Sequence, residues 1–234
     1  MTSLVSYTLT DGILTITFPV SDEGLLSLEA CDELAELILA PPAEARVLVL
    51  ASMGEQFCTG RDRTAATVDE LPREVDRLVA VNHALRHSRL VSIARVHGDA
   101  AGFGVGLAAL CDFAIATPEA KFSFPEVEIG LAPVLVLAWL PQLVGRRQAM
   151  RLTATGASVD AGEAVALGLV TQVAEAAELD AQITELADGL RKRSPRVLAE
   201  IRDFLRVTDQ ATETQATELA RSRLVVGSLR RGRD

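Results

Sequence analysis

Cysteine is scarce in this chain of 234 residues, and the three that occur, Cys31, Cys58 and Cys111, are odd in number and far apart. That excludes a disulfide framework and gives no zinc-ligand spacing, so a reducing, cytoplasmic setting is expected. Long apolar runs are also missing. The longest, 134–140, falls far short of the roughly 20 residues a spanning helix needs, and no basic residue precedes an apolar stretch at the N-terminus. Neither a membrane span nor an export signal is expected. Lysine is nearly absent: Lys121 and Lys192 stand against twenty-one arginines, a bias that reads as genomic composition. Histidine occurs only at His83, His87 and His97.

What is present suits one ordinary globular domain. At 49% hydrophobic and 24% charged residues, a chain of this length buries on the order of 70% of its unfolded surface and needs no covalent staple. The net charge of −9 speaks against a nucleic-acid scaffold, which displaces counterions with a basic face. One local exception is the C-terminus, where Arg221, Arg223, Arg230, Arg231 and Arg233 fall within fourteen residues.

The periodicities predict strands at 5–9 and 13–18 around the hairpin signal Asp11-Gly12, a helix over 26–38 and a buried strand at 46–51. A second cycle predicts a helix over 75–87, a strand at 91–96, a glycine-rich turn into a small-residue helix, and a strand at 112–116. Beyond about residue 131 helices dominate, at 135–143, 146–153, 161–167, 179–190 and 195–207, with one strand-like run at 169–173. Asp160 and Glu163 make a capping box and Gly168 a helix stop. The expected layout is an α/β core over 1–190 with a helical region and basic tail over 191–234.

Two segments pair glycines with strand ends, where exposed amide groups can hold a developing oxyanion: Phe57-Cys58-Thr59-Gly60-Arg61-Asp62, and the run from His97 to Gly106 with four glycines. The second offers helix N-terminal donors, but lacks the acidic residue at dinucleotide-fold spacing. A third segment, Phe124-Pro125-Glu126-Val127-Glu128, puts a carboxyl among apolar residues, where desolvation raises its pKa toward the range of general acid–base work.

In their order, these motifs resemble the crotonase superfamily, the enoyl-CoA hydratase/isomerase family. The resemblance continues through Cys111-Asp112, Gly130-Leu131-Ala132-Pro133, Leu143-Val144-Gly145 and the run 160–173, and covers nearly the whole chain. It implies a crotonase-like ββα spiral core with a helical C-terminal trimerisation region, and a homotrimer or hexamer. It implies an acyl-CoA substrate, with coenzyme A carried by the substrate and no separate cofactor or metal. It also implies that the amides of Arg61 and Phe103 hold the thioester oxygen, that Glu126 is the acid/base, and that Cys58, Thr59, Gly60, Asp62, Gly102, Gly104 and Leu131 border the substrate.

Three departures narrow the expected chemistry. The first of the two hydratase glutamates falls at Gly106, leaving one carboxylate for isomerisation, dehydration or decarboxylation. The apolar run Pro133 to Leu140, with Trp139, resembles dehydratases that act on acyl carrier protein thioesters in polyketide pathways, although such a run is ordinarily core. The loop 19–24 carries Asp22 and Glu23 where family members often place cations for the CoA phosphates, which leaves the basic tail as a candidate source. A non-catalytic thioester-binding protein is the alternative of another class. A serine-hydrolase reading finds no Gly-x-Ser-x-Gly elbow.

Overall fold

The computed structural model describes residues 3–65 and 67–230. Asp11 and Gly12 both take positive φ, 50° and 83°, as a two-residue hairpin requires. They join β1 (Ser6–Thr10) to β2 (Ile13–Pro19) in antiparallel register. After β3 (Leu25–Leu26), Ser27 caps α1 (Leu28–Leu39), its hydroxyl accepting from the Ala30 amide at 3.1 Å. α1 buries Cys31, Leu34, Ala35 and Ile38, the face its spacing predicts.

The chain continues through β4 (Val47–Met53), β5 (Gly60–Arg61), α2 (Leu71–His87), β6 (Val91–Val96) and β7 (Ala100–Ala101). Next come α3 (Phe103–Ala109), β8 (Phe113–Ala116), β9 (Lys121–Ser123) and a 3-10 turn over Pro125–Ile129. The remaining elements are α4 (Val134–Leu137), α5 (Leu140–Thr155), β10 (Val159–Asp160), α6 (Ala161–Leu167), β11 (Gln172–Val173), α7 (Leu179–Arg191), α8 (Pro195–Thr208) and α9 (Glu213–Arg230). The main sheet has the order β1-β2-β4-β6-β8-β11 and is parallel from β2 onward. β4 lies inside it, covered on both faces as central parallel strands are. Leu48 and Leu50 join the core beneath α1, α2 and α3, whereas Val47 and Val49 pack with Ile93, Ile115, Leu179 and Ile183 under α7.

Several expectations need correction. α2 begins four residues before the predicted start, with Pro72 in its first turn. The predicted helix over 135–143 is two pieces: α4 ends at Leu137, and α5 begins after Trp139 and is broken at Gly145, where φ is 75°. Only half of the capping box forms. Asp160 accepts from the Glu163 amide at 2.8 Å, but the Glu163 carboxylate turns to Arg151. Most of the basic tail is helix: α9 carries Arg223 onto Asp203 at 2.8 Å and over the Phe204 ring. Arg231 and Arg233 lie outside the described residues. Among the described residues, no helix is long and apolar enough to cross a membrane.

Candidate active site

Parallel β4 and β6 deliver two loops to the same end of the sheet, and the backbone stitches them together. The Cys58 amide donates to Asp99 O at 3.1 Å, and the Ala101 amide donates to Cys58 O at 2.8 Å. The two glycine motifs, some forty residues apart in sequence, thereby become one surface. α3 starts so close to it that a Cβ on Gly104 would lie 1.8 Å from Cys58 O; only glycine permits that approach. Phe103 is the first residue of α3, so its amide has no acceptor within the helix.

The third motif arrives through the small sheet. β9 runs parallel to β7, and Ser123 O accepts from the Gly102 amide at 2.9 Å. Pro125 then opens the 3-10 turn and sets the Glu126 carboxylate over Gly102, where an added Cβ would lie 2.6 Å from Oε1. Gly102 has φ 52° and ψ −115°, a conformation that side chains disfavour. Oε2 of Glu126 is buried without a hydrogen-bond partner. Burial pushes the Glu126 pKa above its ordinary value, while a backbone amide and the charge of Arg63 pull it partly back. A half-buried carboxyl in that state can both take and return a proton.

These groups border a cavity of about 660 Å³. Of the expected site residues, Thr59, Gly60, Arg61, Gly102, Phe103, Glu126 and Leu131 line it. Cys58, Asp62 and Gly104 are not part of its lining. The Cys58 thiol is fully buried, 3.1 Å from Gly60 O, and burial pushes its pKa up to about 12. The Asp62 amide is engaged with Leu26 O at 2.9 Å. Glu128 also lines the cavity but is exposed.

Three residues that the motif reading passed over or took for core complete the site. Glu74, on α2, pairs with the Arg61 guanidinium and accepts from the Thr64 amide and hydroxyl at 2.8 and 2.9 Å, and from the Ala65 amide. Burial would raise its pKa, but the Thr64 groups, Arg61 and the Ala65 amide outweigh that and hold it at about 2. Trp139, read as core, does pack edge-on to Phe124, and its Cζ2 lies 3.4 Å from where a Cβ on Gly106 would stand. It fills the volume a longer residue at 106 would use. Asn82 shares that corner and lines the cavity. Only the i, i+3, i+7 spacing of Val75, Leu78 and Asn82 hinted that α2 turns one face to the site. Among the described residues, no group of three or more His, Cys, Asp or Glu is placed to hold a metal.

The profile of the enoyl-CoA hydratase/isomerase family matches residues 9–227. The chain belongs to this family. A Thermus thermophilus relative named "Putative enoyl-CoA hydratase" is 33% identical over 80% of this chain and 75% of its own length. Carnitinyl-CoA dehydratase of Proteus mirabilis is 30% identical over 76% of this chain and 69% of its own. A crystal structure of a Thermobifida fusca protein of the enoyl-CoA hydratase type, in complex with CoA, superposes with a TM-score of 0.86 at 25% identity, covering 99% of this chain and 95% of that one. As a member of the family, this chain has the crotonase fold.

Proposed function

We propose that the chain acts on acyl-CoA thioesters by enolate chemistry with a single carboxylate. The thioester oxygen accepts from the amides of Arg61 and Phe103, which acidifies C2. Glu126 takes the C2 proton and returns it either to another carbon of the acyl group or to a departing oxygen at C3. The observation that carries this reading is the Glu126 carboxylate itself, set over Gly102 beside the first amide of α3 and left with a buried, unpaired oxygen. Gly106 offers no second proton carrier and Trp139 fills its surroundings, so two-glutamate hydration is not the reaction proposed. A donor pair aimed at a developing oxyanion contributes on the order of 3 kcal/mol per donor, and one positioned base about 10²–10⁴ in rate.

Coenzyme A enters as part of the substrate. The CoA complex of the Thermobifida fusca protein supports CoA over a carrier protein as the thioester's handle, and Arg63 supplies a cation at the cavity where the loop 19–24 is acidic. The dehydratase name of the Proteus mirabilis relative favours dehydration among the one-carboxylate outcomes. A homotrimer is part of the proposal, supported by the exposed apolar stripe on α8.

The test is incubation with a panel of acyl-CoA thioesters in deuterated water, following C2 exchange and product by mass. Exchange is expected in the wild type, with a loss of about 10²–10⁴-fold in Glu126→Gln. Undiminished exchange in that variant would sink the assignment. Binding of thioesters with neither exchange nor product would identify a binding protein instead.

A further inference from the structure

α2 turns Val75, Leu78 and Asn82 toward the cavity. The first two are apolar. Asn82 is 9% exposed, and its Oδ1 is buried with no hydrogen-bond partner. A buried acceptor left unpaired is costly, and one that faces a ligand cavity is a place for a ligand's donor. Its position is fixed by two glycines. A Cβ on Gly106 would stand 3.8 Å from Asn82 Oδ1, and a Cβ on Gly102 would stand 2.6 Å from Glu126 Oε1. Gly102 caps α3 and Gly106 is its fourth residue, so about one turn of chain separates them. Glu126 and Asn82 therefore stand at the two ends of a backbone strip whose end residues carry no side chain, with Trp139 closing the far end.

We propose that Asn82 is a specificity-determining residue that accepts a hydrogen bond from the C3 hydroxyl of a 3-hydroxyacyl thioester. This rests on Glu126 acting at C2. An acyl chain laid along the strip with C2 at Glu126 carries its C3 substituent toward Asn82, and an O–H···O bond of ~2.8 Å closes the gap. The step balances with one carboxylate. The C2–H bond breaks to Glu126, its electron pair becomes the C2=C3 bond, and the C3–O bond breaks. The proton then passes from Glu126 to the departing oxygen, so that water leaves and the carboxylate is restored. Asn82 transfers no proton; it fixes which C3 configuration presents its hydroxyl to the strip.

The experiment measures binding by calorimetry in the Glu126→Gln background, where turnover is suppressed. The ligands are the two 3-hydroxybutyryl-CoA enantiomers and butyryl-CoA. One enantiomer is expected to bind about tenfold more tightly than butyryl-CoA, the size of one net hydrogen bond. Adding Asn82→Leu should abolish that difference while butyryl-CoA binding remains, whereas Asn82→Asp, which keeps an acceptor, should preserve it. A merely structural asparagine would weaken all three ligands alike. Equal binding of the three ligands, or a preference that survives Asn82→Leu, overturns the inference and leaves the Glu126 reading standing. If Asn82→Leu does not fold, the enantiomer preference with Asn82 intact and in Asn82→Asp decides. Failure of every thioester to bind overturns the thioester reading and this inference with it.

Discussion

Glu74 on α2 holds Arg61 from behind the cavity wall. One carboxylate oxygen takes the guanidinium, and the other takes the Thr64 amide and hydroxyl and the Ala65 amide. The Arg61 side chain is 17% exposed and that of Glu74 only 5%. The side chain of Arg61 is thus an anchor, and the role proposed for the residue falls to its backbone amide.

Removing that anchor should lower catalysis without touching any group that bonds to the substrate. Glu74→Ala is expected to reduce kcat/KM by about 10- to 100-fold, the effect of displacing a positioned donor by a fraction of an ångström to an ångström. A second variant, Glu74→Gln, tests the pKa. A carboxyl held at about 2 contributes stability that is fully present above its unfolded value near 4.5 and is lost as pH falls toward 2. Wild-type unfolding midpoints should therefore drop more steeply over that window than those of Glu74→Gln. Unchanged kcat/KM in Glu74→Ala would separate the ion pair from the chemistry.

Glu126 makes the opposite prediction. Its pKa is raised in the fold, so the folded state binds more protons than the unfolded one, and stability declines as pH rises above about 4.5 through the folded value. Glu126→Gln should therefore melt above the wild type at pH 7 to 8, and the difference should vanish near pH 4. The acidic limb of the wild-type kcat/KM profile should lie above the ordinary glutamate range. Equal melting temperatures at neutral pH would show that the carboxyl is solvated.

The three glycines at the start of α3 should behave differently under the same substitution to alanine. At Gly104 the new Cβ meets backbone at 1.8 Å, and such overpacking typically costs ~1–3 kcal/mol, a fall of roughly 2–12 °C for a chain of this size. Gly102 combines positive φ with the Glu126 carboxylate at 2.6 Å, so Gly102→Ala should fold less stably and lose turnover by displacing Glu126. At Gly106 the nearest atom is the Trp139 indole at an ordinary 3.4 Å. Gly106→Ala should gain about 0.5–1 kcal/mol, as expected inside a helix. Thermal melts of the three variants, with exchange rates for Gly102→Ala, check the order.

The same glycines explain what was legible in the sequence. The motifs around Cys58 to Arg61 and Gly102 to Gly104 announce themselves by their glycines, because a close main-chain approach such as that of Gly104 to Cys58 O leaves no room for a Cβ. Glu126 was legible because a proline fixes its approach. Glu74 and Asn82 were not: each sits at a helical position where a polar residue ordinarily means solvent, and only the packing of α2 over the site turns them inward. α9 was hidden because its arginines read as a charged tail, whereas Arg223 is a cross-helix tie to Asp203.

α8 carries an exposed apolar face. Val197, Ile201 and Leu205 recur every four residues, a spacing that puts them on one helical face, and are 40%, 51% and 63% exposed; Leu224 and Leu229 on α9 are 72% and 70% exposed. Apolar side chains aligned on one face of α8 suit an association surface, and formation of the proposed trimer would remove them from water at roughly 25 cal/mol per Å² buried. Ile201→Glu with Leu205→Glu should therefore reduce the mass measured by light scattering from that of a trimer to that of the 25.0 kDa chain, while far-ultraviolet dichroism stays helical. A trimer that survives both charges would place the contact surface elsewhere on the molecule.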